Sequence, residues 1–322
     1  MDDHVLDWLL DGDPAIRWQV LRDLTDAPDD QVAAERRRVA TEGWGAQLLA
    51  LRGADGQWAG GACFPGWVAD AWRRGEEPQL DGQPWTATLP TLALMRRLGL
   101  DPDSEVARET THLVAEHCRW EHDGQRFFDG EVEECINGQT LAVGAYLGVD
   151  MAPLVQRLLE AQLADGGWNC ESERGASVGS FHSTICVLEG LVAWARSGSL
   201  TPSVGAAVAR GHEYLLERAL FRGRRSGEVV DESWLQFSFP PQWSYDVLRA
   251  LDHLREAGAA ADDPRLADAL DVVRRKRQPD GRWLLEHTHP GEQHLVLEDG
   301  DGRPSRWNTL RALRVLRWAD RA

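Results

Sequence analysis

The chain has 322 residues, enough for one large domain or two domains of ordinary size. Its formal net charge of −17 would repel a phosphate backbone or an anionic membrane surface, which disfavours nucleic-acid and membrane partners. No stretch approaches the roughly 20 apolar residues that span a bilayer. The acidic start Met1-Asp2-Asp3 lacks the order of a signal peptide, so we expect a cytoplasmic protein with reduced cysteines.

The first 45 residues differ from the rest and predict a small N-terminal helical cap (1–45). Within it, Asp13-Pro14 is typical of an N-cap followed by proline at the first helical position. From residue 46 onward the chain is repetitive, and we predict one domain over 46–322.

One ten-residue segment occurs three times and ends on Trp58, Trp168 and Trp283, which are 110 and then 115 residues apart. Degenerate copies near 123–127 and 226–228 give a period of about 55 residues. Each copy carries Asp-Gly, in which glycine supplies the positive φ that ends a helix. We expect the aromatic side chain after it to fold back between neighbouring helices.

A second helical stretch follows each turn. These stretches are predicted at 86–98, 136–147, 183–194, 245–254 and 309–318. The one strand-like alternation is Leu295-Val296-Leu297. The fold class is therefore all-α, with five or six helical hairpins that either stack as an open solenoid or close into a ring.

Residues 158–168, with Gln162 six residues before Trp168, resemble the QW repeat of squalene and oxidosqualene cyclases. Arg52 and Arg277 stand at the glutamine position in the other two copies. The resemblance is to the terpenoid-cyclase and protein-prenyltransferase superfamily and extends from about residue 45 to the end. It implies an α/α toroid whose inner helices direct their N-terminal ends at one mouth of a central cavity.

That superfamily also implies a zinc site. Prenyltransferases of this fold use an Asp-x-Cys pair and a later histidine, and Glu133-Glu134-Cys135 and His182 occupy comparable positions. Lanthionine cyclases use two cysteines and one histidine, for which Cys135, Cys170 and His182 are the predicted metal ligands, although the adjacent Cys-His pair of that family is absent. Such a set leaves a fourth zinc position open. Alternatively, these cysteines pack as small hydrophobic residues.

The same resemblance suggests acid catalysis without a metal. Squalene-type cyclases protonate their substrate with the aspartate of a DxDD or Asp-Cys-Thr-Ala motif, and DxDD does not occur here. Glu134, followed by Cys135, is similar to the Asp-Cys form. Asp246, beside Tyr245, is the other predicted acid, although an N-terminal helix carboxylate can equally serve as a cap.

Further side chains are predicted to contact a substrate at the mouth of the cavity. They are Trp85, Trp243, Arg306, Trp307 and Asn308. Arg306 could bind an anionic substrate group or one of the carboxylates nearby. His287, His289 and His294 are expected in a loop that covers the cavity.

Three functions remain open at this point. The first is an enzyme, zinc-dependent in this interpretation, acting on a small hydrophobic or thiol-bearing substrate in the cavity. The second is a metal-free, acid-catalysed cyclase or isomerase whose aromatic walls stabilise positive charge. The third is a non-catalytic helical-repeat scaffold that binds other molecules on its outer surface.

Overall fold

The computed structural model describes residues 3–321, and these are mostly helical, which confirms the all-α class. The α-helices are α1 (Asp3–Leu10), α2 (Pro14–Leu24), α3 (Asp29–Arg37), α4 (Gly43–Ala50), α5 (Gly66–Arg73), α6 (Thr88–Leu98), α7 (Glu105–His117), α8 (Glu134–Tyr146), α9 (Ala152–Glu160), α10 (Phe181–Trp194), α11 (Pro202–Leu216), α12 (Val247–Glu256), α13 (Ala267–Arg275) and α14 (Arg306–Ala319). Two short antiparallel strands, β1 (Trp283–Leu284) and β2 (Pro304–Ser305), pair Trp283 with Ser305.

Within the described residues, five helical hairpins follow the predicted repeat. Each has a first helix, a turn and a second helix, and the second helices are α6, α8, α10, α12 and α14. All five begin within three residues of their predicted starts. The segment 295–297 is a loop rather than a strand, and Val296 is 87% exposed. Its short alternation arises because Leu297 is buried on the core while Val296 faces solvent.

The three complete tryptophan turns share one set of contacts. Each indole N–H donates to the backbone carbonyl ten residues earlier, from Trp58 to Leu48, from Trp168 to Leu158 and from Trp283 to Val273, at 2.7–2.8 Å. Each tryptophan backbone N–H donates to a threonine hydroxyl of the second helix, Thr88, Thr184 or Thr309, at 3.0–3.2 Å. The turn therefore joins the two helices of its hairpin through buried hydrogen bonds.

Gln162 links its turn to the next hairpin. Its side-chain amide donates to the Gly166 carbonyl (2.8 Å) and to the Ala207 carbonyl in α11 (2.9 Å).

The second helices pack on one another at very close range. Helix α8 lies between α6 and α10, and α12 packs on α14, which in turn contacts α2. A methyl group added at Gly190 in α10 would lie 2.5 Å from the Gly138 carbonyl oxygen in α8. Only glycine allows two helix backbones to approach so closely. The closed toroid stays a prediction from the sequence.

The N-terminal segment packs against both ends of the repeat series. Asp13 caps α2, as predicted, by accepting from the Ala15 N–H (2.8 Å), and its second oxygen accepts from the Trp44 N–H of α4 (2.8 Å). The Trp18 indole donates to the Leu98 carbonyl at the end of α6 (2.8 Å).

Of the helices within residues 3–321, none combines the length and the apolar character needed to cross a bilayer.

Candidate functional site

A cavity of about 420 Å³ lies where the N-terminal ends of α6, α8 and α10 meet the segment before α12; we call it the N-terminal cavity. Its walls include Phe64, Trp85, Cys135, His182 and Trp243. Residues at the starts of three second helices, α6, α8 and α10, therefore line one cavity. Trp85 and Trp243, both predicted to contact substrate, form part of the wall.

Hydrogen bonds between distant parts of the chain form the rim of the N-terminal cavity, at Trp85 and Trp243. The Trp85 backbone N–H donates to the Glu292 carbonyl (2.8 Å), and its indole donates to the Pro290 carbonyl (2.9 Å). The Trp243 indole donates to the Gln83 side-chain oxygen (3.2 Å). The loop between β1 and β2 thus lies against the segment before α6, which places the predicted histidine-containing loop beside the cavity.

Cys135 and Cys170, separated by 35 residues in sequence, meet at this cavity. Cys135 is the second residue of α8, and its backbone N–H donates to the Cys170 sulfur at 3.2 Å. The Ser183 hydroxyl in α10 donates to the same sulfur at 3.2 Å. Both thiols are half-buried. Donors from two helix N-termini therefore converge on one sulfur, an environment that favours a thiolate.

The two neighbouring thiols differ in acidity. The interaction with the Cys135 thiol lowers the pKa of the Cys170 thiol, and the Ser183 hydroxyl and the Cys135 N–H lower it further, against the opposing effect of burial. The interaction with Cys170 raises the pKa of Cys135 well above its usual range, and burial raises it further. Cys170 is therefore the more acidic thiol of the pair.

Glu133 completes a group of three ligand atoms that lie within 4.8 Å of one another. One of its carboxylate oxygens accepts from the Cys135 thiol at 3.6 Å. Two thiolates bound to one zinc at about 2.3 Å each lie less than about 4.6 Å apart, so this group needs little rearrangement to hold the ion. Glu133 is the carboxylate two residues before the cysteine, the position that the prenyltransferase resemblance had singled out.

His182 lines the same cavity but lies outside this group of three. Its Nδ1 accepts from the Tyr245 backbone N–H at 2.9 Å, and burial lowers its pKa to about 4, so the ring is neutral at pH 7. A neutral ring with Nδ1 as acceptor carries its proton on Nε2. In this arrangement His182 offers a hydrogen-bond donor rather than a free lone pair for a metal.

No known protein-family model matches the chain. No curated protein sequence is significantly similar to it either.

The side chains of the predicted acids form hydrogen bonds within the protein. Glu134 is buried and accepts from the Ser172 hydroxyl (2.7 Å). Asp246 is the N-cap of α12, accepting from the Arg249 N–H at 2.7 Å, and burial raises its pKa. The Tyr245 hydroxyl donates to the Leu220 carbonyl (2.5 Å). None of these three residues lines the N-terminal cavity, because each side chain forms its hydrogen bond within the protein instead.

Three predicted substrate contacts at the start of α14 also lie elsewhere. Arg306 donates to the Trp8 carbonyl (3.2 Å) and lies over the Trp8 ring. The Asn308 amide donates to the carbonyls of Phe237 and Leu284. Trp307 stacks on Phe239 with ring centroids 4.2 Å apart. These contacts hold the start of α14 in place, whereas the equivalent positions of α8 and α10 face the cavity.

A second cavity, of about 620 Å³, was not predicted; we call it the arginine cavity. It is lined by the C-terminal halves of α3, α6, α8 and α10 and by residues of α2, α12 and α14. No described residue lines both cavities. The sequence signal for this cavity was the recurrence of arginine at intervals of three residues in α14 and of charged residues at the same interval in α12. In a single helix, such a pattern is also typical of an ordinary solvent-exposed face.

Proposed function

We propose that this protein is a zinc-binding enzyme that acts on a small, largely apolar molecule held in the N-terminal cavity. The observation that carries the proposal is the convergence of Glu133, Cys135 and Cys170 at the wall of that cavity. Three protein ligands and one open position are the usual arrangement of a catalytic zinc, whereas structural sites are closed by four.

The donor set suits zinc better than other common ions. Thiolates select soft or borderline metals such as zinc, and a carboxylate is a regular third ligand beside them. Calcium and magnesium prefer sets composed of oxygen alone. When bound, zinc supplies a Lewis acid that polarises a substrate carbonyl, activates a water molecule or stabilises a substrate thiolate.

The surrounding residues support a substrate that is mostly apolar. Phe64, Leu89, Ile136 and the two rim tryptophans provide the larger surfaces of the wall. His182 is held with its Nε2–H free to donate, and Trp243 packs edge-on against its ring at 5.3 Å. An apolar cavity with a few oriented polar groups is the common design of a small-molecule site.

The metal content of the purified protein tests the proposal. We expect about one zinc per chain in protein prepared reduced and without a metal-binding tag, as for a site with thiolate ligands. Cys170→Ser should lose the zinc, and Glu133→Gln should release it to a competing chelator more readily than wild type does. Cys186→Ser is the matched control, since Cys186 is buried and lies outside the group of three.

Circular dichroism on each variant separates loss of metal from loss of fold. Zinc-free wild type, prepared under conditions that keep the thiols reduced, would overturn the proposal. So would Cys170→Ser protein that retains both its helicity and its zinc.

A further inference from the structure

The arginine cavity has a surplus of positive charge. Among the described residues, nine arginines but only four carboxylates line it. The chain as a whole carries a net charge of −17, so a basic cavity is not a general property of its surface. The surplus must arise from the way the helices bring their side chains together.

The four carboxylates already have arginine partners. Glu189 lies between Arg97 (3.0 Å) and Arg249 (2.8 Å). Asp252 binds Arg314 through both oxygens and accepts from Arg255 at 3.0 Å. Asp23 and Glu256 each have an arginine within 3.0 Å as well. The acids of the cavity therefore have little capacity left to neutralise further guanidinium groups.

Two arginines remain without a carboxylate. The guanidinium of Arg96 makes no hydrogen bond or close ion pair with any residue that the structure describes, and this partly exposed side chain lines the cavity. Arg36 donates to the Gly99 carbonyl (3.0 Å) and to the Tyr146 hydroxyl (2.8 Å), both of which are uncharged. A buried third guanidinium, that of Arg311, reaches Asp246 and Asp252 only at 3.8 and 3.9 Å.

At Arg97, the neighbouring guanidinium groups act against the charged form. Burial lowers the pKa of Arg97 to about 10, against the attraction of Glu189, and the neighbouring guanidinium groups of Arg249, Arg96 and Arg311 lower it further. An anion between these side chains would remove that repulsion.

Helix dipoles do not account for the surplus. Arginine is favoured in the last turn of a helix, which covers Arg96 and Arg97 at the end of α6. Arg249, however, is in the first turn of α12, and Arg311 and Arg314 are in the middle of α14. The dipole gives no stabilisation to cations at those positions, yet all three side chains are directed into the same space.

We propose that the arginine cavity binds a small organic polyanion that carries two or more phosphate or carboxylate charges. The guanidinium fork matches both groups in shape and forms charge-assisted hydrogen bonds with either. A volume of about 620 Å³ is in the range of small-molecule sites, and the aromatic rings of Trp18 and Tyr146 beside Arg36 offer contact for the organic part. The site is separate from the N-terminal cavity and does not depend on zinc.

Isothermal titration calorimetry on the full chain tests the proposal, with sodium tripolyphosphate and sodium citrate as probes at constant ionic strength. We expect saturable binding of at least one of them. Arg96→Gln should weaken it roughly tenfold, the loss of one charge-assisted contact. Arg36→Gln, a second variant, should weaken it similarly. Arg73→Gln is the control, because Arg73 is an exposed arginine of α5 outside the cavity.

Each outcome bears on the proposal. Binding of tripolyphosphate alone would identify a phosphorylated ligand, and binding of citrate alone a polycarboxylate. If titration with sodium chloride at the same ionic strength released the same heat as the two probes, the proposal would be overturned. Binding that Arg96→Gln and Arg36→Gln weaken no more than Arg73→Gln, in protein with wild-type helicity, would overturn it too.

Discussion

Replacing Thr184 by valine tests the contact that ties each tryptophan turn to its second helix. The Thr184 hydroxyl accepts from the Trp168 backbone N–H at 3.0 Å, and both residues are fully buried. Valine keeps the shape of threonine but lacks the hydroxyl, which also donates to the Trp168 carbonyl at 3.4 Å, so the Trp168 N–H is left without a partner in a place closed to water. A buried unpaired donor costs about 1–3 kcal/mol, and we expect the free energy of unfolding to fall by that amount.

The assay is urea denaturation followed by circular dichroism, with the midpoint compared at an unchanged slope. Thr309→Val should give a similar loss, because Thr309 accepts from the Trp283 N–H at the same 3.0 Å. Thr111→Val is the control. The Thr111 hydroxyl donates only to the Ala107 carbonyl within α7, so its loss should change stability by less than about 0.5 kcal/mol. If both turn variants matched the control, the turn contacts would not stabilise the hairpins as we infer.

Two further predictions concern ionisation. In protein treated with a chelator, iodoacetamide at pH 8 should label Cys170 before Cys186, since burial raises the pKa of Cys186 to about 11. Peptide mass spectrometry would show the order, and equal labelling would contradict it. His212 and His253 face each other at 2.9 Å, and burial lowers their pKa values to about 3 and about 4. The unfolded chain therefore binds protons below pH 6.5 that the folded chain does not, and stability should fall from pH 6.5 towards pH 4 by up to about 1.4 kcal/mol per pH unit for each histidine. His253→Gln should reduce this pH dependence, and an unchanged dependence in urea denaturation at pH 7 and pH 5 would count against the assignment.

The helices and turns follow from short-range pattern. Asp13 before Pro14 predicted the start of α2, and the Asp-Gly-x-Trp turns predicted where each complete hairpin bends. These features depend on groups within one or two turns of helix, such as a capping carboxylate or a glycine at positive φ. For the same reason the starts of the second helices could be predicted to within three residues.

The superfamily resemblance implied Cys135, Cys170 and His182 as metal ligands, and all three line the N-terminal cavity. The prenyltransferase comparison also offered Glu133, but the sequence did not predict that Glu133 rather than His182 joins the two cysteines, or that His182 accepts at Nδ1 from the Tyr245 N–H. Those outcomes depend on side-chain orientation at the level of a few ångströms.

The largest difference between pattern and structure is the arginine cavity. One or two of its nine arginines come from each of α2, α3, α6, α12, α14 and the segment after α10, and nothing in any single segment marks them as members of a cluster. Their surplus of charge exists only once these segments are packed together and the four available carboxylates are shared among them. Local sequence determines where helices start and bend because those energies are local, whereas charge and ligand clusters come from contacts between residues far apart in the chain.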